Sequence, residues 1–167
     1  MIPAAVVNWL EVNHFGRVSE RFAVGGGCIN HGARLFTTAG VTFFLKTNDH
    51  APTELFECEV EGLEKLRIAV GPYIPEPFLS GADFLLMEDL NPGPRQPDYW
   101  PTFGRQLASL HNQTASRFGF PRDNYIGSTP QPNSWSEDGY VFFAEHRLMF
   151  QARLAHRSGL LSLSEVQ

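Results

Sequence analysis

The run Asn91-Pro92-Gly93-Pro94 constrains this chain more than any other feature. Its two prolines fix φ and remove backbone donors, and the glycine between them favours no regular element, so neither helix nor strand passes through. The apolar pattern also changes there. Before the break, short β-branched and aromatic runs alternate with turns; after it, apolar residues recur at helical spacing. We therefore place a lobe boundary at the break, with residues 1–90 as one lobe and 91–167 as the start of a mainly helical second one. Strands with one helix, then helices, make an α+β chain.

Residues 4–15 read as an amphipathic helix with Ala5, Val6, Trp9 and Leu10 on one side. Phe22-Ala23-Val24, the glycine-rich turn 25–32 and Ala33-Arg34-Leu35-Phe36-Thr37 read as a hairpin. Thr38-Ala39-Gly40 then turns the chain into a third strand, 41–47, which completes an antiparallel meander. A helix is expected over 53–68, with Phe56, Val60, Leu63 and Leu66 in one stripe and Glu54, Glu57, Glu61 and Glu64 on another, solvated side. Phe78-Leu79-Ser80 and Phe84-Leu85-Leu86-Met87 read as two strands about Gly81. Beyond the break, Phe103, Leu107, Leu110 and Thr114 share a helical stripe. After a loop holding Pro121, Pro130 and Pro132, a further helix is marked by Tyr140, Phe143, Ala144, Leu148 and Leu154.

Composition excludes several classes. Of the 167 residues 43% are hydrophobic, enough for a buried core, so the chain is not wholly disordered. A net charge of −5 argues against nucleic-acid binding by general phosphate attraction. No long uncharged apolar stretch marks a membrane span, and no basic-then-apolar segment marks a secretory signal. Cys28 and Cys58 make neither a disulfide framework nor a zinc site by spacing, so a reducing cytoplasm is the expected compartment. The final ten residues start a new apolar pattern that stops abruptly, and a C-terminal truncation is expected. The stripe of Phe103, Leu107 and Leu110 is then short of packing partners, which favours self-association.

Four features could carry chemistry. Gly25, Gly26 and Gly27 let a backbone approach an anion closely and aim N–H groups at it, although glycines in a hairpin also simply make tight turns. Lys46 shares a strand face with Thr42 and Phe44; a solvated strand-end lysine is the plainer reading. Glu59 lies within the apolar stripe of Phe56, Leu63 and Leu66, where a carboxylate needs a partner, and Lys46 is the available cation; a glutamate snorkelling out from the stripe's margin is the alternative reading. The run Phe84-Leu85-Leu86-Met87-Glu88-Asp89-Leu90 is an apolar strand leading into a connector whose backbone could bind a planar base.

In this order the four features resemble the small lobe of a protein-kinase-like fold. Gly25-Gly26-Gly27-Cys28-Ile29-Asn30, Phe43-Phe44-Leu45-Lys46, Phe56-Glu57-Cys58-Glu59-Val60-Glu61-Gly62-Leu63, Leu86-Met87-Glu88 and Leu107-Ala108-Ser109-Leu110-His111 resemble the fructosamine kinase (ketosamine-3-kinase) family. Phe118-Gly119-Phe120, Thr129-Pro130-Gln131-Pro132-Asn133-Ser134-Trp135 and Phe142-Phe143-Ala144-Glu145-His146-Arg147-Leu148 extend the resemblance. It implies an enzyme that moves the γ-phosphoryl group of ATP, with magnesium, to the sugar 3-hydroxyl of ketoamines on glycated proteins or amines. It implies that Gly25, Gly26, Gly27, Cys28 and Ile29 cover the phosphates and that Lys46 holds them, oriented by Glu59. It places Met87 behind the adenine, the backbone of Glu88 and Leu90 on the base, and Asn133 and Trp135 at the sugar pocket's edge; a bracing role in the proline-rich loop is the plainer reading of those two. Cys28 among loop amides could be oxidised to link a homodimer.

The family's catalytic base and magnesium ligands lie in a His-Gly-Asp-type loop and a later Asp motif. His14-Phe15-Gly16, His31-Gly32-Ala33 and His111-Asn112-Gln113 carry no following Asp, and Gly81-Ala82-Asp83-Phe84 has the wrong order. The catalytic base is therefore expected beyond Gln167 and the chain as it stands is expected to be inactive, with no metal site of its own. Two other readings stay open: a non-catalytic nucleotide-binding or interaction module, and a kinase for a free small molecule of the aminoglycoside or choline type.

Overall fold

The computed structural model describes residues 1–91 and 93–165. Pro92, in the middle of the expected break, lies outside the described residues. The chain divides into two compact units, Met1–Gln113 and Thr114–Gln167. The division follows the third helix rather than the proline–glycine run.

The first unit is built on a sheet of β1 (Val18–Val24), β2 (His31–Thr37), β3 (Thr42–Thr47), β4 (Pro77–Gly81) and β5 (Phe84–Glu88), in the order β1-β2-β3-β5-β4. Every neighbouring pair is antiparallel. The expected meander and the late hairpin are both present, and β1 runs four residues longer at its start than the apolar signal. Those residues belong to an exposed edge strand, so they carry no burial pattern to read.

Alternation along β3 and β5 makes the sheet two-faced. Leu35, Phe43, Leu45, Phe84 and Leu86 face one side, where Val6 and Leu10 of helix α1 (Ala4–Val12) complete a core. Trp9, Phe15, Phe43 and Phe78 meet there with ring centroids 5.0–5.9 Å apart. The other side carries Phe44, Leu85 and Met87, packed on Phe56, Val60 and Leu63 of helix α2 (Leu55–Leu66).

Both helices hold their apolar stripes but are shorter than the spans 4–15 and 53–68 expected for them. α1 ends at Val12, because His14 takes a left-handed backbone (φ 62°) and turns Phe15 back onto the core. Ala5 is exposed, since the buried face centres on Val6 and Leu10 and leaves Ala5 at its margin. α2 starts after Glu54, also left-handed, and Leu66 in its last turn is exposed. Cys58, outside the expected stripe, is buried instead. Helix α3 (Tyr99–His111) buries no residue completely; Phe103 is exposed, Leu107 and Leu110 are half-buried, and Thr114 falls beyond its end.

The second unit contains a hairpin of β6 (Asn124–Ile126) and β7 (Thr129–Gln131), then helix α4 (Gly139–Phe143), a π-helical stretch Ala144–Met149 and helix α5 (Phe150–Arg157). The hairpin lies in the segment read above as a proline-rich loop. Three-residue strands are too short for alternation to register, and Pro130 masks the second of them. Asp138 caps α4, its Oδ1 accepting from the N–H groups of Tyr140 (2.8 Å) and Val141 (3.1 Å). Of the stripe expected for this helix only Leu154 is half-buried; Tyr140, Phe143, Ala144 and Leu148 are exposed, while Phe142, His146, Arg147, Met149 and Phe150 are half-buried in their place. A π-helical stretch widens the turn, so a stripe counted at 3.6 residues per turn drifts off the packed face.

Phe43 sits where α1, Phe15, Phe78 and the sheet meet. Truncating it leaves a cavity that several rings cannot all collapse into. Phe43→Ala is expected to destabilise the first unit by about 3–5 kcal/mol, read as a lowered denaturant midpoint with an unchanged slope.

Candidate functional site

The face of the sheet that meets α2 is also the face of Lys46. Register aligns Gly32 on β2, Lys46 on β3 and Leu85 on β5, and in the next row Arg34, Phe44 and Met87. Lys46 thus emerges one row from the Phe44–Met87 pair. Its Nζ is ion-paired with Glu59 Oε1 of α2. The two side chains are 30% and 25% exposed, so the pair is neither buried nor free in solution. At such exposure an ion pair contributes about 1 kcal/mol or less to stability. What it does is fix where an ammonium stands.

Beside this pair runs the loop Gly25–Asn30 between β1 and β2. Gly25, Gly26, Gly27, Cys28 and Ile29 are all exposed. Gly26 has φ +104°, a backbone that L side chains rarely adopt, and a Cβ added there would meet nothing within 4 Å. Asn48 Nδ2 donates to Asn30 Oδ1 (3.1 Å), tying the loop's last residue to the end of β3. Gly32, at the end of the glycine-rich turn, has a steric reason. A Cβ there would lie 3.0 Å from Phe44 Cζ and 3.2 Å from Val24 O, so the absent side chain is what lets the Phe44 ring lie across β2.

Met87 is buried with Phe56 and Leu85, forming the inner wall. Glu88 ends β5, and its main-chain N–H donates to Glu76 O (2.8 Å), so its main chain has only the carbonyl to offer a ligand. Its carboxylate accepts from Tyr73 Oη (2.6 and 2.8 Å) and from Glu76 N (3.2 Å). Leu90 is exposed in the connector. Between them, Asp89 is paired with Arg34. Neither Tyr73 nor Arg34 was singled out by sequence reasoning. Tyr73 lies in a proline-rich stretch with no periodicity, and Arg34 would have been found only by counting the alternation of β2 as well as that of β3.

The second unit holds the other two expected residues. Asn133 is 3% exposed and its amide is in use. Its Nδ2 donates to Arg122 O (3.1 Å) and Asn124 Oδ1 (2.9 Å), and its Oδ1 accepts from Arg147 Nη2 (2.6 Å). Arg147 Nη1 also donates to Pro132 O (2.7 Å), and burial lowers the pKa of this guanidinium from its ordinary value. In this geometry Asn133 braces the proline-rich loop from within, with no amide hydrogen left for a sugar. Trp135 is exposed, with the Arg117 guanidinium 5.0 Å from its ring centre. Cys28 is an exposed thiol and Cys58 a buried one, and the structure gives no support to a dimer linked through Cys28. Among the described residues no helix is long and apolar enough to cross a membrane.

Comparison with known proteins gives these features a common setting. The family model described as fructosamine kinase matches residues 4–167. A Synechocystis protein carrying a ketoamine-kinase name is 39% identical over 146 residues, covering 84% of this chain and 49% of that protein. The chloroplastic protein-ribulosamine 3-kinase of Arabidopsis thaliana is also 39% identical, covering 83% of this chain and 44% of its own length. A Thermobifida fusca crystal structure carrying a fructosamine-3-kinase name superposes with a TM-score of 0.81 at 29% identity, over 99% of this chain and 58% of that one. The fold is thus the kinase-like α+β fold of those proteins, and the chain spans about half the length of the curated relatives it matches.

The Tyr73–Glu88 contact yields a test of the connector's geometry. The hydrogen bond from the phenol to Glu88, with that carboxylate's charge, raises the Tyr73 pKa above its ordinary 10.0. The contact is therefore fully present below the ordinary value and is lost as pH rises through the raised one. Ultraviolet titration should show one tyrosine ionising late, and Glu88→Gln should return it to the ordinary range.

Proposed function

The chain belongs to the fructosamine kinase family, and from that membership we propose that it supplies the nucleotide-holding part of an ATP-dependent ketoamine kinase. The observation that carries the proposal is the Lys46–Glu59 pair standing beside an exposed glycine loop and one row from a buried Met87. Backbone amides of Gly25–Ile29 cradle the phosphates of ATP. Lys46 engages them as a point charge, and Glu59 holds Lys46 in reach. The base lies against the wall made by Phe44 and Met87, with the Glu88 carbonyl and the Leu90 N–H as its main-chain partners. These donors fit a triphosphate: an open loop of glycine amides, an ammonium already aimed, and no side chain filling the space beside Gly26.

Magnesium, when bound, screens the phosphate charge. Glu59 is engaged by Lys46 and is not its ligand here. The reaction proposed for the full activity is transfer of the γ-phosphoryl group to the 3-hydroxyl of a ketoamine on a glycated protein or amine. In the second unit, exposed Trp135 is the candidate for contact with the sugar, with Asn133 holding its loop. Phosphoryl transfer is mostly positioning and charge stabilisation, so these residues bind and orient the donor. They do not supply the base. No His-Gly-Asp loop occurs in the 167 residues, and this favours a second reading for the chain alone, as a module that binds nucleotide without turning it over.

Three measurements test this. In calorimetry the chain should bind ATP, and Lys46→Met should weaken binding at least about tenfold, as loss of a charge-assisted contact to phosphate implies. An absence of heat, or a Lys46→Met variant that binds as well as the parent, overturns the proposal. With a ribulosamine- or fructosamine-modified lysine peptide the chain should form no phosphorylated product; turnover would refute the absence of a base. Glu59→Gln should lower ATP affinity while changing the denaturant-derived stability by about 1 kcal/mol or less.

A further inference from the structure

The connector after β5 has to present main-chain groups to a base at a fixed distance from the glycine loop. Asp89 and Leu90 have left the sheet ladder, so backbone hydrogen bonding no longer holds them. On one side Glu88 is tied to Tyr73 and Glu76. On the other, Asp89 Oδ2 lies 2.6 Å from Arg34 Nε. The Asp89 side chain is 3% exposed and that of Arg34 26%. Both contacting atoms are buried, and neither makes a well-aligned hydrogen bond, so the contact is a Coulombic one in which each atom depends on the other. Unlike Glu59, the Asp89 carboxylate is withdrawn from water, while Arg34 is exposed to the same degree as the Lys46–Glu59 pair.

Arg34 is not an arbitrary partner. It stands on β2, two residues after Gly32, on the strand that leads out of the glycine loop. Its row across the sheet is Arg34, Phe44, Met87. Its guanidinium therefore reaches over the Phe44 position to the residue two beyond Met87. The contact joins the phosphate side of the proposed site to the base side without passing through the strands between them.

We infer that Arg34 and Asp89 form a positioning pair, which sets the spacing between the glycine-loop strand and the connector and so determines affinity for the base of the nucleotide. The inference rests on the nucleotide reading above. Neither residue is required to touch the ligand. Losing either partner leaves a poorly solvated charge and frees the connector, so the base contacts weaken while the phosphate contacts, set by the glycine loop and Lys46, do not.

The test is calorimetry on the full chain with ATP, adenosine and inorganic tripolyphosphate, together with amide hydrogen exchange at Leu90 without ligand. Asp89→Asn and Arg34→Met should each weaken ATP and adenosine by about tenfold, and the double variant should be no worse than either single one, because the two act as a unit. Tripolyphosphate affinity should stay within about twofold of the parent, exchange at Leu90 should accelerate, and Arg34→Lys should recover part of the loss. Equal losses for all three ligands would mark general destabilisation and overturn the inference. So would parent-like ATP affinity in Asp89→Asn. If the parent chain binds no ATP, the nucleotide reading fails. Leu90 exchange then decides the pair separately: faster exchange in the variants supports its hold on the connector, and unchanged exchange refutes it.

Discussion

A one-residue slip of β3 would exchange Phe43 and Leu45 for Phe44 and Lys46, turning an ammonium into the aromatic core around Trp9 and a phenylalanine out of it. The first unit depends on that register. With Phe43 and Leu45 committed to the α1 side, Lys46 has to emerge on the α2 side, where Phe44 and Met87 already lie. The side chains that build the core thus also choose the face of the site. A helix placed on that face can offer one carboxylate to Lys46, and α2 does so with Glu59.

Two ion pairs of this unit do different work. Lys46–Glu59 is about a quarter exposed on each side, and its direct contribution to stability is small. Its value lies in geometry: without Glu59 the flexible lysine stem would sample many rotamers, and any phosphate would have to order it on binding. Arg34–Asp89 is the more buried pair, so its removal is costly through the charge left behind rather than through the attraction lost.

Much of the first unit was legible because alternation and helical periodicity leave direct traces. The runs at Val41–Thr47 and Phe84–Met87 gave two strands, and Glu59 stood out as a carboxylate inside an apolar stripe that pointed to Lys46. Other features left no such trace. Helix ends at His14 and Glu54 are set by single left-handed residues that no periodicity announces. The Arg34–Asp89 contact joins residues 55 positions apart and needs two alternation counts and the sheet order together. In the second unit a π-helical stretch defeated the spacing rule, and three-residue strands were too short to register. Asn133 showed the opposite limit: resemblance drew attention to it as a polar residue near a sugar pocket, but an amide with both hydrogens used internally is a structural brace.

These distinctions bear on how the proposed chemistry is divided along the chain. Residues that would hold a nucleotide all fall within Gly25–Leu90 of the first unit, on one sheet face, one helix and one connector. Phe44, Lys46 and Met87 are placed by strand register, and Lys46 also by an ion pair, within that unit. The proposed donor site thus draws on the sheet, the glycine loop, α2 and the connector, all within this unit. A catalytic base is a different requirement, since it must be held against the acceptor hydroxyl as well as the donor. Donor binding, which we propose for the first unit, and phosphoryl transfer are thus separable demands, the first met by one sheet face, a loop, a helix and a connector, the second only by a base held against the acceptor.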